Sequence, residues 1–389
     1  MTTFSFLIFR TRINVLCLAL IAVCLVESIQ SKFKSVADIL IEINELVQSA
    51  AEQSKGPIKI IGVMAQPVSN LITKHLMEAK DQVGVSENDI KQMTYFPESY
   101  VKWIRQKNTL VVPIDSRNSI ATIRIMLKHV NALLIPGGKT TILVHEDLAH
   151  HPESGIESRI TKKLTPYAMK VLSAIEHLKE RQDSEKIKIP IFGTCLGYEL
   201  LLLQSAFSQI EFDEVDNFKK LMPLDSYETE ESSPIGITRF LNLKNSISQE
   251  KVFFFNHKYA LTVHQFNDSP NLQNDYDIVA TATVQTKDGP KIIVAAIQHK
   301  KYPIYGVQFH PEKNEFEPEL NLPHSLKTLK FLNGIDDEFY QNIETNASNE
   351  CIQFWKTRTQ SIQTIKAYDY GGFKEVFIFN ERCVQKILI

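Results

Sequence analysis

Three side chains of this sequence are of the types that a thiol hydrolase needs: Cys195, His310 and Glu312. A cysteine nucleophile works with an imidazole that accepts and returns a proton, and with a third group that fixes the tautomer of that imidazole. Residues 304–309 form a predicted strand that ends at His310, and Glu312 follows across an extended Pro-Glu step. A lone cysteine or histidine is more often structural, and a glutamate more often a solvated charge. The catalytic assignment of these residues therefore depends on the segments around them.

Cys195 lies on a predicted corner between a strand and a helix. An apolar run ending at Phe192 precedes the turn Gly193-Thr194-Cys195-Leu196-Gly197, and apolar residues 198–203 follow as a predicted helix. Glycine on both sides of the cysteine permits a sharp backbone turn. Since a helix N-terminus carries partial positive charge, this position is expected to favour the thiolate over the thiol.

Another glycine-containing strand end is expected to face this corner. Residues 132–138, ALLIPGG, place Gly137 and Gly138 just past a strand, at the edge where open α/β sheets bind their ligands. The backbone N–H groups of Gly138 and Leu196 are predicted to stabilise an oxyanion. A simple strand-to-loop turn is the alternative for a PGG segment.

The order of predicted elements indicates an α/β fold. Strands over residues 58–64, 110–114 and 132–135 alternate with helices over residues 100–107 and 120–129. Strands that alternate with helices form parallel sheets with right-handed crossovers. We therefore expect a doubly wound, mostly parallel sheet flanked by helices in a three-layer α/β/α arrangement.

Three segments are predicted to interrupt this regular order. Residues 139–160 are expected to be a polar loop on the side of the active site, and residues 209–233 an irregular acidic surface excursion. A strand over residues 251–255 is expected to end where Asn256-His257-Lys258 introduces polar groups.

The composition describes an ordinary globular protein. The chain has 389 residues, of which 43% are hydrophobic, and a formal net charge of −2. Because no block of Lys and Arg stands out, we expect no nucleic-acid partner. The length allows two domains, but we expect residues 57–389 to form one α/β domain. A homodimer stays an open alternative to a monomer.

The first residues are typical of a secretory signal peptide. Arg10 and Arg12 precede an apolar run over residues 15–26, which is short for a membrane span, and the predicted signal covers residues 1–28. An uncleaved membrane anchor is the alternative. An amphipathic helical extension is predicted over residues 29–56. Cleavage would place the mature chain in the secretory pathway, in the lysosome, the vacuole or the extracellular space, without stable membrane insertion.

Signal cleavage also changes the set of cysteines. It would remove Cys17 and Cys24 and leave Cys195, Cys351 and Cys383. In an oxidising compartment, a disulfide between Cys351 and Cys383 would tie down the C-terminal segment and leave Cys195 as a reactive thiol. The sequence alone does not fix this pairing.

Two glycosylation acceptors are predicted. Asn346-Ala347-Ser348 has the acceptor pattern, and Asn267-Asp268-Ser269 is a poorer match because Pro270 follows it.

His145, His150 and His151, with acidic neighbours, raise the question of a metal site. The segment H-E-D-L-A-H is longer by one residue than the H-E-x-x-H helix pattern, so its histidines would not share a helix face. We expect no metal and no cofactor.

Together these motifs resemble the class I glutamine amidotransferase-like superfamily and, within it, the γ-glutamyl hydrolase family. The segments that carry the resemblance are Ile61-Gly62-Val63, Gln66-Pro67, Ser99-Tyr100-Val101-Lys102-Trp103, Val111-Val112-Pro113-Ile114, residues 134–138, Cys195-Leu196-Gly197-Tyr198-Glu199, Asn256-His257-Lys258 and residues 309–313. The resemblance covers roughly residues 58–317. It implies a small-molecule substrate: folylpoly-γ-glutamates and antifolate polyglutamates are cleaved through an acyl-enzyme at a Cys195-His310-Glu312 site.

The resemblance also implies which residues bind the substrate. Glutamine amidotransferases usually have glutamine where this chain has Glu199, and Glu199 is implied to contact the γ-glutamyl amino group. His257 is implied to line the site, as is Gly137, with a structural histidine as the alternative for His257.

Two other functions stay open for the sequence. One is a glutaminase that passes ammonia to a synthetase, which the predicted signal peptide and Glu199 disfavour. The other is an inactive secreted binding protein of the same fold, which the complete Cys-His-Glu set disfavours.

Overall fold

The computed structural model describes residues 58–78, 86–104, 109–147, 160–207, 210–226, 250–343, 351–355 and 376–379. The predicted signal peptide, the predicted helical extension, Asn346 and Cys383 lie outside these residues. Those assignments, and the pairing of Cys351 with Cys383, therefore stay predictions.

Parallel strands form the centre of the main sheet. They are β1 (Lys59–Pro67), β3 (Thr109–Asp115), β4 (Ala132–Ile135), β7 (Ile191–Thr194) and β13 (Ile304–Val307), in the spatial order β3-β1-β4-β7-β13. Because β4, β7 and β13 are adjacent and parallel, their carboxyl ends meet at one edge of the sheet. The segments that follow these three strands carry Gly137, Cys195 and His310.

Antiparallel strands extend the sheet on both sides. β2 (Thr94–Pro97) pairs with the end of β1, and β14 (Val376–Phe379) pairs with β2. On the other side, β12 (Gly289–His299) pairs with β13 and with β11 (Tyr276–Thr286), which also pairs with β9 (Asp225–Ser226). The predicted fold class, a mostly parallel sheet between helices, is confirmed.

Helices cover both faces of this sheet. They are α1 (Asn70–Glu78), α2 (Glu87–Lys91), α3 (Glu98–Ile104), α4 (Ile120–Leu127), α5 (Pro166–Glu185), α6 (Leu196–Ser205), α7 (Val263–Asn267), α8 (Pro270–Asp275), α9 (Lys313–Phe316) and α10 (Leu326–Gln341), with a 3₁₀ turn at Pro318–Leu320 and a helical segment at residues 351–355. Alternate residues of β1 enter separate cores: Ile61 and Val63 pack in the core with α1, α3 and α10, and Ile60 and Met64 in the core with α4, α5 and α6. Among the helices described, none is both long and apolar enough to cross a membrane.

Capping residues explain where several helices begin. Thr165 caps α5 by accepting a hydrogen bond from the Ala168 N–H, and Pro166 takes the first helical position. Ser86 and Thr262 form capping boxes at α2 and α7. The sequence thus carries start signals for short helices that its hydrophobic pattern alone does not reveal.

Two segments predicted to be irregular contain paired strands. β8 (Asp213–Met222) lies within the predicted surface excursion and pairs with β10 (Phe253–Ala260). β10 continues through Asn256-His257-Lys258 instead of ending there. β5 (Leu143–Asp147) and β6 (Ile160–Leu164) form another two-stranded sheet within the predicted polar loop and just after it. Polar residues interrupt the alternation of apolar and polar side chains in these strands. Pairing with a neighbouring strand outweighs their weak intrinsic preference for the strand conformation.

Candidate active site

The turn after β7 places Cys195 at the N-terminus of α6. Cys195 has φ 51° and ψ −106°, a positive-φ conformation that residues other than glycine rarely adopt. Its N–H donates a 2.8 Å hydrogen bond to the carbonyl of Val307 in β13. A Cβ on Gly197 would lie 2.0 Å from the Ile135 carbonyl oxygen, and one on Gly193 would lie 2.7 Å from the Gly197 carbonyl oxygen. The glycines therefore permit the close packing that holds this strained corner in place.

His310 and Glu312 form a hydrogen-bonded pair next to this corner. His310 Nδ1 lies 2.8 Å from Glu312 Oε1, and the two side chains are 2% and 0% exposed. Because a carboxylate only accepts hydrogen bonds, we assign the proton to Nδ1, which leaves the Nε2 lone pair available. The His310 N–H donates to the Phe254 carbonyl of β10 at 2.9 Å. β10 therefore fixes the backbone that carries the imidazole.

Gly137 is the point at which the predicted catalytic residues meet. A Cβ built on Gly137 would lie 2.9 Å from His310 Cε1 and 3.2 Å from Cys195 Cβ. The imidazole and the thiol-bearing carbon thus pack against the same backbone atom. Because a side chain at this position would collide with His310, the strand end after β4 must carry glycine here.

Tyr100 is a site residue to which the sequence motifs assign no role. Its Oη accepts a 2.9 Å hydrogen bond from the Gly137 N–H and lies 3.3 Å from His310 Nδ1. Burial raises the pKa of Tyr100 well above its usual value, and the charge of Glu312 and a hydrogen bond to Glu312 add to this effect. Tyr100 therefore stays protonated, and its hydroxyl donates a hydrogen bond to Glu312, which makes it a positioning residue for the His310–Glu312 pair.

Gln66, at the end of β1, holds the glycine loop in place. Its Nε2 donates to the Gly137 carbonyl at 2.9 Å, and its Oε1 accepts from Thr140 Oγ1 at 2.9 Å. A Cβ on Gly138 would lie 2.0 Å from Gln66 Oε1. Both Gln66 and Tyr100 lie in segments that carry the family resemblance, but only the pairing of strands brings them to Cys195.

Of the two predicted oxyanion donors, Leu196 lies beside the cysteine sulfur. The Leu196 N–H is hydrogen-bonded towards the Cys195 sulfur and lowers the pKa of the thiol. The Gly137 N–H is already engaged by Tyr100. Gly138 therefore stays the predicted donor from this loop, and the pair Gly138 and Leu196 stays the predicted oxyanion site.

Burial of Cys195 opposes the predicted thiolate. Burial raises the pKa of the Cys195 thiol well above its usual value, and the charges of Glu199 and Glu312 raise it further. Burial also lowers the pKa of His310, although Glu312 opposes this shift. Since burial disfavours the charged form of each group, the resting pair is a neutral thiol and a neutral imidazole. The prediction of a resting thiolate is wrong, because burial outweighs the partial charge of the helix N-terminus.

Glu199 lies one turn beyond Cys195 on α6 and is buried. Gln308 Nε2 donates to its Oε1 at 3.3 Å. Burial raises the pKa of Glu199 to about 8, and the hydrogen bond from Gln308 opposes this shift. The carboxyl group is therefore protonated at neutral and acidic pH, and it can accept a hydrogen bond without placing a negative charge in the buried site.

Replacing Glu199 with glutamine is expected to change how stability depends on pH. Between about pH 4.5 and about pH 8 the folded protein keeps this carboxyl protonated while the unfolded chain ionises it. The unaltered protein therefore loses stability as the pH rises through this window, whereas the amide of the variant does not titrate. Relative to the Glu199→Gln variant, the free energy of unfolding is expected to fall by about 4 kcal/mol across the window. Urea unfolding of both proteins at each end of the window measures this difference, and a constant difference would contradict it.

His257 is buried in β10, in the part of the strand that was predicted to be broken. Its Nδ1 lies 2.8 Å from the Tyr259 carbonyl oxygen and donates to it. Burial lowers the pKa of His257 to about 4, the bond to Tyr259 opposes this shift, and His310 adds to it. The ring is thus neutral and close enough to His310 to sense its charge, and its contact with substrate stays a prediction.

The remaining predicted sites lie away from this centre or outside the described residues. Across the described part of the chain, no group of three or more His, Cys, Asp or Glu side chains could hold a metal ion. His145 lies in β5, opposite Lys162 of β6, whereas His150 and His151 are not among the described residues. Asn267 is exposed at the end of α7, and its glycosylation stays a prediction.

Comparison with known proteins gives the family context of this site. Residues 165–322 match the family model described as glutamine amidotransferase class-I. The gamma-glutamyl hydrolase of Mus musculus is 28% identical over 243 residues, which cover 61% of this chain and 68% of that protein. The Homo sapiens gamma-glutamyl hydrolase is 25% identical over 345 residues, covering 86% and 93%. Gamma-glutamyl hydrolase 1 of Arabidopsis thaliana is 26% identical over 297 residues, covering 74% and 76%.

The matched family region contains Cys195, His310 and Glu312, while Tyr100 and Gly137 precede it. The predicted resemblance is therefore confirmed: residues 165–322 match the class-I glutamine amidotransferase model, and the chain is similar to gamma-glutamyl hydrolases of mammals and plants.

Proposed function

We propose that this protein is a thiol hydrolase that cleaves γ-glutamyl amide bonds through an acyl-enzyme intermediate. The observation that carries the proposal is the convergence of Cys195 and the buried His310–Glu312 pair on Gly137, at adjacent strand ends. The similarity to gamma-glutamyl hydrolases supports the choice of bond.

Acylation starts from the neutral thiol of Cys195. As Sγ attacks the γ-carbonyl carbon, the thiol proton passes to His310 Nε2 and the carbonyl oxygen becomes an oxyanion. The N–H groups of Leu196 and Gly138 donate to that oxyanion. Glu312 stabilises the imidazolium that forms. When the C–N bond breaks, His310 gives its proton to the leaving amine, and a γ-glutamyl thioester remains on Cys195.

Deacylation uses the same groups in the opposite direction. A water molecule loses a proton to His310 Nε2 as its oxygen attacks the thioester carbonyl. The C–S bond then breaks, the sulfur takes the proton back from His310, and the γ-carboxylic acid leaves. Glu312 and Tyr100 keep the ring in one orientation during both half-reactions, because each contacts the Nδ1 side of the imidazole.

Glu199 supports a γ-glutamyl chain as substrate in preference to free glutamine. A residue inside a poly-γ-glutamyl chain presents an amide N–H at its α-carbon, whereas free glutamine presents an ammonium group. A carboxyl group with a pKa of about 8 accepts from an amide in its neutral form, but must first lose a proton to neutralise an ammonium group. We therefore propose folylpoly-γ-glutamates and antifolate polyglutamates as substrates, and the secretory pathway as the location.

Incubation with pteroyl-pentaglutamate, followed by chromatography of the products, tests this proposal. We expect shorter pteroyl-glutamates together with glutamate or γ-linked glutamate peptides, and little ammonia from free glutamine at the same protein concentration. Ammonia from glutamine without any cleavage of the polyglutamate would indicate a glutaminase instead. If neither substrate is consumed and Cys195 does not react with iodoacetamide, the protein is an inactive member of the fold.

A further inference from the structure

The peptide group between Gly137 and Gly138 carries one of the predicted oxyanion donors. Gly137 supplies its carbonyl and Gly138 its N–H, and this peptide bond is trans. In a planar trans peptide the carbonyl and the N–H point in opposite directions. Because Gln66 Nε2 donates to the Gly137 carbonyl at 2.9 Å, the Gly138 N–H points away from Gln66.

Glycine leaves this peptide group free to rotate unless another group holds it. Neither Gly137 nor Gly138 has a side chain, so rotation of the peptide plane between them meets little steric resistance. A half-turn would exchange the directions of the carbonyl and the N–H. Within the described part of the chain, no oxygen accepts a hydrogen bond from the Gly138 N–H. The direction of this N–H is therefore set through the carbonyl at the other side of the same peptide.

The Gln66 side chain is well placed to hold this carbonyl. Gln66 is fully buried near the end of β1, where β1 pairs with β2, and β1 also pairs with β4, the strand that leads to Gly137. Because a carbonyl oxygen only accepts hydrogen bonds, the amide nitrogen of Gln66 must face it. The amide oxygen lies 2.9 Å from Thr140 Oγ1, and a Cβ on Gly138 would lie 2.0 Å from it. The amide group thus contacts both glycines and the residue that ends the loop.

Tyr100 and Gln66 hold the two sides of Gly137 in different ways. The Gly137 N–H donates to Tyr100 Oη at 2.9 Å, and Tyr100 also contacts the His310–Glu312 pair. The hydrogen bonds of the Gln66 side chain go to the loop instead, and not to the proposed catalytic side chains. Replacing Gln66 therefore disturbs the loop while it leaves the thiol and the imidazole in place.

We propose that Gln66 is a positioning residue that keeps the Gly138 N–H directed at the oxyanion. The inference rests on the proposed function, since it concerns the same reaction. When Sγ attacks the γ-carbonyl carbon, the carbonyl oxygen gains negative charge, and N–H groups that already point at it stabilise it without reorganisation. An oxyanion forms in acylation and again in deacylation. Gln66 therefore lowers the barrier of both steps.

The first test replaces Gln66 with methionine, which removes the amide and keeps an unbranched side chain of similar length. With pteroyl-pentaglutamate we expect kcat to fall about 10²-fold, the cost of losing one oxyanion donor, while KM stays within about threefold. Iodoacetamide reacts with Cys195 at a saturated carbon and forms no oxyanion, so we expect the rate of alkylation to stay within about twofold. The two rates together distinguish a misdirected donor from damage to the thiol and the imidazole.

The second test uses pH and the Gln66→Glu variant. The introduced carboxyl group can donate to the Gly137 carbonyl when it is protonated, but only accepts hydrogen bonds when it is ionised. Burial raises the pKa of a carboxyl group, so the protonated form persists above the usual range. We therefore expect kcat of this variant, relative to the unaltered protein at the same pH, to rise as the pH falls. For Gln66→Met the same ratio is expected to stay constant with pH.

A matched control replaces Gln182, another buried glutamine, with methionine. Gln182 Oε1 accepts from the Ile189 N–H at 3.0 Å, just before β7 begins and therefore at the opposite end of that strand from Cys195. Gln182→Met also loses a buried hydrogen bond to the backbone, with a similar effect on stability. Its kcat for pteroyl-pentaglutamate is expected to stay within about twofold of the unaltered value.

The outcomes separate this inference from the proposed function. If the unaltered protein cleaves pteroyl-pentaglutamate and Gln66→Met keeps kcat within about threefold, Gln66 does not position the donor, and the hydrolase stands. An equal loss of kcat and of alkylation rate, or the same loss of kcat in Gln182→Met, also overturns the inference. If Gln66→Met does not fold, a Gln66→Glu protein whose relative kcat is low at every pH overturns it. If the unaltered protein does not cleave pteroyl-pentaglutamate, the proposed function fails and the inference fails with it.

Discussion

Replacing Cys195 with alanine is expected to lower kcat/KM for γ-glutamyl hydrolysis by a factor of about 10⁴ or more, because no other group in the site can form the acyl-enzyme. Steady-state kinetics with pteroyl-pentaglutamate as substrate measure this loss. The Cys195 side chain does not cap α6, and alanine keeps the backbone N–H that donates to the Val307 carbonyl, so the variant should keep its fold. An unchanged circular dichroism spectrum and thermal midpoint would show that the loss is chemical. Activity within about tenfold of the unaltered protein would exclude Cys195 as the nucleophile.

Replacing His310 with glutamine is expected to lower kcat/KM by a factor of about 10³ or more, because the resting thiol then has no base to take its proton. Combining it with Cys195→Ala should cost no more than the larger single effect, since the two residues act as a unit. Glu312→Gln is expected to cost less, about 10², because the amide can still hold the imidazole but cannot stabilise its charged form. Additive losses in the double variant would contradict a shared proton-transfer step.

The burial of His310 determines the direction in which the acidic limb of the kcat/KM profile is expected to shift. Burial lowers the pKa of His310, so the imidazole stays neutral and able to accept a proton below the usual histidine range. The acidic limb of kcat/KM is therefore expected below the ordinary histidine pKa.

The positions of the proposed catalytic residues could be predicted because local sequence determines their surroundings. Gly193 and Gly197 mark the sharp turn around Cys195, and the observed turn requires both. Residues 132–135 form a short apolar run, and β4 has those bounds. Adjacent parallel strands then bring their carboxyl ends together, so a topological argument suffices to place Gly137, Cys195 and His310 at one edge.

The features that the sequence did not predict depend on contacts between residues that are far apart in the sequence. β8 reads D-E-V-D-N-F-K-K-L-M, in which charged residues obscure any apolar alternation, and only its pairing with β10 makes it a strand. Tyr100 meets Gly137 and His310 across long sequence separations. The resting state of Cys195 could not be predicted either, because the sequence shows the helix N-terminus that favours the thiolate but not the burial that opposes it.

The central claim is that Cys195 carries the γ-glutamyl group during turnover. Acid quenching of the protein during reaction with pteroyl-pentaglutamate, followed by mass spectrometry of the peptide that contains Cys195, measures this directly. The account predicts a transient γ-glutamyl thioester on that peptide, present during turnover and absent once the substrate is consumed. Turnover at full rate with no adduct at Cys195 at any time, and with an active Cys195→Ala variant, would contradict it.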